Sequence, residues 1–173
     1  MKQTGLTIVE TLIVLAILFS VISIVLPGYS ALSARYKLTS VTNHLLVSIA
    51  YARTEAIRRG VRVSICKSAS RDTSNFVCQS TASWKDGWII FVDRGVVGSV
   101  DGDDEILRLF EYSASDIVVT TSNFTNYLSY MPTGRSKGAN NLSNGSINFC
   151  LNGAKWSVVL NITGRARLAK AAC

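Results

Sequence analysis

The chain has little of what enzyme chemistry needs. Its 173 residues include one histidine, His44, and no second imidazole to share a proton transfer or complete a ligand set. His44 falls in a helix-like stretch with no nucleophile or metal ligand at hand, which reads as a helix-surface residue. No glycine-rich phosphate loop and no nucleophile–base pair occurs. Cys66, Cys78, Cys150 and Cys173 form no C-x-x-C pair, so the tight spacing of a structural zinc site is missing. Charge is sparse, at 17% of residues, and no Asp or Glu follows Asp116. These absences argue against catalysis and leave no cofactor or metal to expect.

One stretch is almost free of charge. From Leu6 to Leu26 the chain is apolar nearly throughout, and Glu10 is its only charged residue. At 1.5 Å rise per residue, about 20 such residues cross a bilayer core. A lone carboxylate at that depth is costly and implies a partner. Lys2 is the only charge before it, which favours a cytoplasmic N-terminus and an exported remainder. A secretory signal would place a small-residue cleavage site after its apolar core. Here Ser20-Val21-Ile22-Ser23 lies inside the core, and Pro27-Gly28 leads into more helical sequence.

Residues 28–59 continue as helix. Val41, Leu45, Ile49, Ala52 and Ala56, with their neighbours Leu38, Leu46 and Ile57, recur at three- and four-residue spacing, the pattern of one buried face. Arg53, Arg58 and Arg59 crowd the last turns, where cations suit the negative helix end, and Gly60 is placed to cap it. Pro27-Gly28 is expected to kink or loosen the helix. Beyond Gly60 the period becomes that of strands. Val61–Cys66 alternates, with Val61, Val63 and Ile65 on one face. Residues 67–83 form a polar loop, and Trp84–Asp93 a turn leading into a buried strand. Further strands are expected at 105–110, 117–120, 126–131, 146–150 and 155–162. Pro132-Thr133-Gly134 and Asn152-Gly153 are turn signals. One long helix followed by many short strands predicts an α+β fold, the helix lying on antiparallel sheet.

The net charge is +7 and unevenly placed. Residues 101–116 hold six acids and one arginine, whereas the 57 residues after Asp116 hold only cations: Arg135, Lys137, Lys155, Arg165, Arg167 and Lys170. Asp101, Asp103, Asp104 and Glu105 form an acidic cluster. They lack the spaced ligand pattern of a calcium loop, so a solvated turn is the expected reading, with calcium as the alternative. If the strand from Val158 runs unbroken to Arg167, then Val158, Leu160 and Ile162 face the core. Arg165 and Arg167 then share the solvent face about 6.6 Å apart, comparable to neighbouring phosphates of an extended strand. Gly164 beside them removes a side chain and opens the backbone to close approach. Residue types alone leave two readings open. The arginines hold phosphate through their forks, or they pair with acids elsewhere or with adjacent subunits.

Met-Lys-Gln-Thr-Gly5 followed by Leu6-Thr7-Ile8-Val9-Glu10 resembles a type IV prepilin leader, with Leu6 where that family usually has Phe. Arg53-Thr-Glu-Ala-Ile-Arg-Arg-Gly60, Val63-Ser-Ile-Cys66, Gly87-Trp-Ile-Ile-Phe-Val-Asp93, Glu105-Ile-Leu-Arg108 and Gly164-Arg-Ala-Arg167 resemble the GspH/FimT family of minor pilins and pseudopilins, its FimT branch most. The resemblance implies a leader at residues 1–5, a transmembrane and filament-core helix at 6–27, and a globular head at 28–173. It implies cleavage between Gly5 and Leu6 by prepilin peptidase, methylation of the new N-terminus, and pairing of Glu10 with the amine of a neighbouring pilin. The protein is then a single-pass bacterial inner-membrane protein with its head in the periplasm, joining a pilus or pseudopilus on assembly.

In that oxidising compartment four cysteines allow three pairings. The expected one joins Cys66 to Cys78 across the loop after a strand, and Cys150 to Cys173 at the C-terminus. The Gly-Arg-x-Arg motif resembles the DNA-binding motif of the FimT branch. By that resemblance Gly164, Arg165 and Arg167 bind DNA irrespective of sequence, with Lys170, Arg135, Lys137 and Lys155 as a basic surround, for uptake in natural transformation. The alternative is a structural or priming subunit of a pilus or type II secretion pseudopilus without DNA binding.

The leader is tested by mass spectrometry of the mature N-terminus, which should begin at Leu6. Gly5→Glu should leave the uncut precursor in the membrane, whereas Glu10→Ala should be cut but assemble poorly. A mature start at Ala31 would point to an ordinary signal peptide and remove the leader reading.

Overall fold

The computed structural model describes residues 7–69, 76–112 and 114–173. Helix α1 (Ile8–Arg59) runs for 52 residues, about 78 Å at the standard rise. Thr7 caps its start, the Oγ1 accepting from the Glu10 N–H at 3.3 Å. Gly60 ends it in the left-handed conformation, φ 67°, donating to the Ala56 carbonyl. Pro27-Gly28 does not break it, since losing one backbone donor leaves long helical stretches on both sides.

The two halves of α1 have opposite surroundings. In the first, Leu12, Ile17 and Phe19 are exposed, Phe19 by 71%. No part of the described chain covers them, as befits a helix whose apolar surface is meant for lipid or other helices. In the second, Ala34, Leu38, Val41, Leu45, Ile49, Ala52 and Ala56 form one buried stripe with Leu46 at its margin, whereas Ile57, expected on that face, is exposed because one step beyond Ala56 turns it about 100° away.

Nine strands follow among the described residues: β1 (Val63–Lys67), β2 (Gly87–Val92), β3 (Glu105–Glu111), β4 (Val118–Ser122), β5 (Tyr127–Tyr130), β6 (Ser136–Gly138), β7 (Gly145–Leu151), β8 (Ala154–Leu160) and β9 (Ala166–Ala172). They make a five-stranded sheet, β3-β2-β1-β5-β6, and a four-stranded sheet, β4-β7-β8-β9. Every pairing is antiparallel. Both sheets turn an inner face to the helix stripe. The first contributes Val63, Ile65, Trp88, Ile90, Val92, Leu128 and Tyr130; the second contributes Ile147, Phe149, Trp156, Val158 and Leu160. Each Leu, Ile or Val fully buried there contributes about 1.5–3 kcal/mol. The indole of Trp88 stays satisfied by donating to Ser48 Oγ on the helix at 2.8 Å.

β1 departs from the alternation read in the sequence: all five residues are buried. A second cluster explains this. Cys66, Ile89 and Phe91 on the outer face of β1 and β2 are covered by Phe76, Cys78, Val100, Ile106, Leu109 and Tyr127. The Cys66–Cys78 disulfide, Cα–Cα 5.5 Å, holds part of that cover in place. Cys150 is bonded to Cys173, Cα–Cα 6.1 Å, which fastens the end of β9 to β7. Two strands, β6 and β9, lie where no strand was expected. β9 replaces the unbroken run through Arg167: β8 ends at Leu160, the chain reverses, and Ile162 sits at the turn, 57% exposed, instead of facing the core.

The helix end is locked by charge. Glu55 accepts from Arg58 Nε and Nη2 at 3.1 and 2.7 Å and from Arg59 Nε at 2.6 Å. Arg59 also reaches Glu105 Oε2 on β3 at 2.7 Å. Hydrogen bonds from Arg58, then Arg59, bring the Glu55 carboxyl from the ordinary 4.5 down to about 2. A carboxyl depressed by folding stabilises the native state above its ordinary value and loses that contribution as pH falls toward the depressed one. Glu55→Gln should therefore lower the urea midpoint of the detergent-solubilised protein at neutral pH. Its deficit against wild type should shrink as pH drops from 4.5 toward 2. A deficit constant across that window would mean that Glu55 acts by packing alone.

Candidate nucleic-acid interface

The basic residues after Asp116 lie on two β-hairpins of the same construction. Between β8 and β9, Asn161 N–H donates to Arg165 O at 3.1 Å and Gly164 N–H to Asn161 O at 2.9 Å. Asn161 Oδ1 takes the Arg165 N–H and the Thr163 hydroxyl, both at 2.8 Å. Gly164 has φ +77°. Between β5 and β6, Met131 N–H donates to Arg135 O at 2.9 Å and Gly134 N–H to Met131 O at 2.8 Å, with Gly134 at φ +75°. Both are three-residue loops ending in a left-handed glycine.

The two turns touch. A Cβ on Gly164 would lie 2.4 Å from Gly134 O, 2.9 Å from Tyr130 Cε1 and 3.1 Å from Ser136 N. Gly164 is buried, so it does not open the backbone to a ligand as the sequence suggested; it lets the hairpins of the two sheets meet. The turn is also anchored from beneath. Tyr130 donates its hydroxyl to Gly164 O at 2.8 Å, and burial pushes its pKa up, keeping the donor protonated. Arg53 Nη2 on α1 donates to Thr163 O at 3.2 Å.

Arg165 and Arg167 are exposed and occupy alternate positions along the outgoing strand. Arg167 pairs across from Val159, and Ala171 from Lys155, which puts Lys155 on the same outer face, about 13 Å further along the strand. Lys170 belongs to the other face. It pairs with Trp156, and its Nζ stands 4.0 Å from the centre of that ring. The expected surround thus loses Lys170, because an odd separation from Arg167 reverses the side of the strand. Lys137 pairs with Ser129, on the outer face of the five-stranded sheet.

No ion pair occupies these six cations among the described residues. The acids are engaged elsewhere: Asp116 with Lys37, Glu55 and Glu105 with Arg59, and Asp93 with Arg62. Asp93 is buried and also accepts from Ser64 Oγ and the Gly98 N–H. The acidic cluster is a built turn. Asp101 accepts from the Val96 N–H at 2.7 Å, and Asp104 accepts from the Arg94 and Asp101 N–H groups at 2.8 and 3.1 Å. Those two carboxylates close the loop on themselves, which is the turn expected of this cluster.

Gly5 and Leu6 lie outside the described residues. Glu10 is exposed in the first turn of α1, without an ion pair among the described residues. Sequence reasoning missed Tyr130 and gave Arg53 only a helix-end role. The signal that bore on both was the recurrence of Thr-Gly-Arg at 133–135 and 163–165, which marks two like turns in need of support.

Gly153 offers a control for Gly164, having the same φ of +77° but no neighbour within 4 Å. Gly164→Ala should cost about 1–3 kcal/mol more than Gly153→Ala, since only the first drives a methyl into backbone. Tyr130→Phe should cost about 1 kcal/mol. Thermal melts decide both, and equal losses for the two glycines would show that the hairpins are not in contact.

The model of the family described as type II transport protein GspH matches residues 41–164, which cover most of the packed half of α1 and end beside Arg165. No curated protein matches in sequence. Among solved structures, the type IV minor pilin FimU of Pseudomonas aeruginosa PAO1 is similar in two crystal forms. The P65 form has a TM-score of 0.52 at 17% identity, covering 76% of this chain and 91% of that one. The P21 form has 0.53 at 17%, covering 80% and 92%. Family and fold are those of structural subunits rather than enzymes, and an apolar N-terminal helix fits a place in the membrane or the pilus. On the length of the family match, and with the fold of a type IV minor pilin, the chain belongs to the GspH family of pilin-like proteins.

Proposed function

We propose that the protein is a minor pilin whose head binds DNA by its phosphate backbone, for uptake in natural transformation. The observation that carries this reading is the free state of Arg165 and Arg167. They are exposed on one strand face, without an ion pair among the described residues, in a 57-residue stretch that holds six cations and no acid. Guanidinium forks on an anchored turn suit phosphate oxygens. Such contacts carry no base information, so binding is sequence-independent and weakens steeply with salt. Prepilin peptidase cuts between Gly5 and Leu6, and Glu10 then meets the methylated amine of a neighbouring pilin. Before assembly α1 crosses the inner membrane once and the head stands in the periplasm, a compartment in which both disulfides form.

A second reading has its own support. The family description is that of a type II transport protein, and the fold is shared with FimU; on this reading the head serves only to prime or join a pilus or pseudopilus. Fluorescence titration of the purified protein with labelled DNA at two salt concentrations separates the readings when paired with an assembly assay. Arg165→Gln and Arg167→Gln should each lose much of the binding, while folding changes by under about 0.5 kcal/mol. Lys170→Gln should change binding little. A double arginine variant that binds DNA like wild type but fails to assemble would replace the DNA reading with the structural one.

A further inference from the structure

We infer that the DNA site is duplicated, with Arg135 and Lys137 forming a second phosphate contact equal in weight to Arg165 and Arg167. The inference rests on the DNA-binding reading and names the other half of its site. The sequence holds the same pattern twice, Thr133-Gly-Arg-Ser-Lys137 and Thr163-Gly-Arg-Ala-Arg167. Each copy closes a hairpin through the same two backbone bonds, with its glycine in the left-handed region. In each, the arginine leads the outgoing strand and a second cation follows two residues on, on the same exposed face.

The copies belong to different sheets, yet they meet at the contact between Gly164 and Gly134 O. Arg135 and Arg165 therefore emerge one residue beyond a shared seam. Arg53 lies along it, its Nη2 on Thr163 O and its Nε 3.3 Å from where a Gly134 Cβ would stand. Arg53 is a positioning residue that ties the Thr163 turn to α1, lies against the Gly134 turn and adds a cation beneath them. No ion pair neutralises any of the five among the described residues. A phosphate backbone laid across the seam meets Lys137 and Arg135 on one sheet, then Arg165 and Arg167 on the other. A strand following β9 alone would instead run from Arg165 toward Lys155 and never reach Arg135.

The test uses the full chain in detergent and a short fluorescein-labelled duplex of random sequence, titrated over a series of salt concentrations. Arg135→Gln and Arg165→Gln should each weaken binding about five- to tenfold at moderate salt and flatten the log–log salt slope by about 0.9. Arg135→Lys should restore the slope, which separates lost charge from a disturbed turn. Lys170→Gln, on the other strand face, serves as the control and should leave the slope unchanged. If Arg165→Gln and Arg167→Gln weaken binding while Arg135→Gln and Lys137→Gln do not, the duplication is wrong and the DNA reading stands on one hairpin. If none of the four changes the slope, the DNA reading falls and the duplication falls with it.

Discussion

The stripe from Ala34 to Ala56 along the second half of α1 is the constraint on which the head depends. A single helix face serves as common floor for two sheets that share no strand. Neither sheet could bury its inner face against the other alone, because the aromatic and branched residues of both converge on the same helix. The consequence reaches the basic end of the molecule. Sheets held on one helix bring their hairpins side by side, and it is there that Gly134 and Gly164 touch.

The two halves of α1 divide the labour of a pilin-like subunit. The exposed apolar half has nothing to bury it within the chain, so its free energy is recovered only in lipid or among other helices. The packed half carries the head. Continuity through Pro27 joins them mechanically, and the Glu55–Arg59–Glu105 chain of ion pairs secures the far end of the helix to the sheet edge. Head orientation is thereby coupled to the axis of the helix that enters the membrane or filament.

Charge follows the same partition. Acids concentrate where they hold turns and helix ends together: Asp101 and Asp104 in their loop, Glu55 beneath Arg58 and Arg59, Asp93 under Arg62. The hairpins from β5 onward are closed by glycine, asparagine and backbone bonds instead. Among the described residues none of their cations is held by an acid, and only Lys170, over the Trp156 ring, has a cation–π contact, so the others stay a charged surface of the kind that favours polyanions.

Much of this was present in the linear order of residues. The apolar run with its one acid, the three-and-four spacing of Leu38 to Ala56, the cysteine positions and the acid-free end are local or compositional features, and they determined the fold class and the character of the basic surface. Even the face of Lys170 was there to read, since it stands an odd number of positions from Arg167. The break after Leu160 was signalled by Asn161-Ile-Thr-Gly164, although apolar alternation across Val158–Ile162 argued for continuing the strand. What tertiary structure alone decided is everything that depends on segments distant in sequence. The second cluster that buries the outer face of β1, the anchoring of Thr163 and Gly164 by Arg53 and Tyr130, and the meeting of the two Thr-Gly-Arg turns are of this kind. Local periodicity reports which face of an element is apolar. It carries no information on which other element will cover that face, because this is set by how two sheets share one helix.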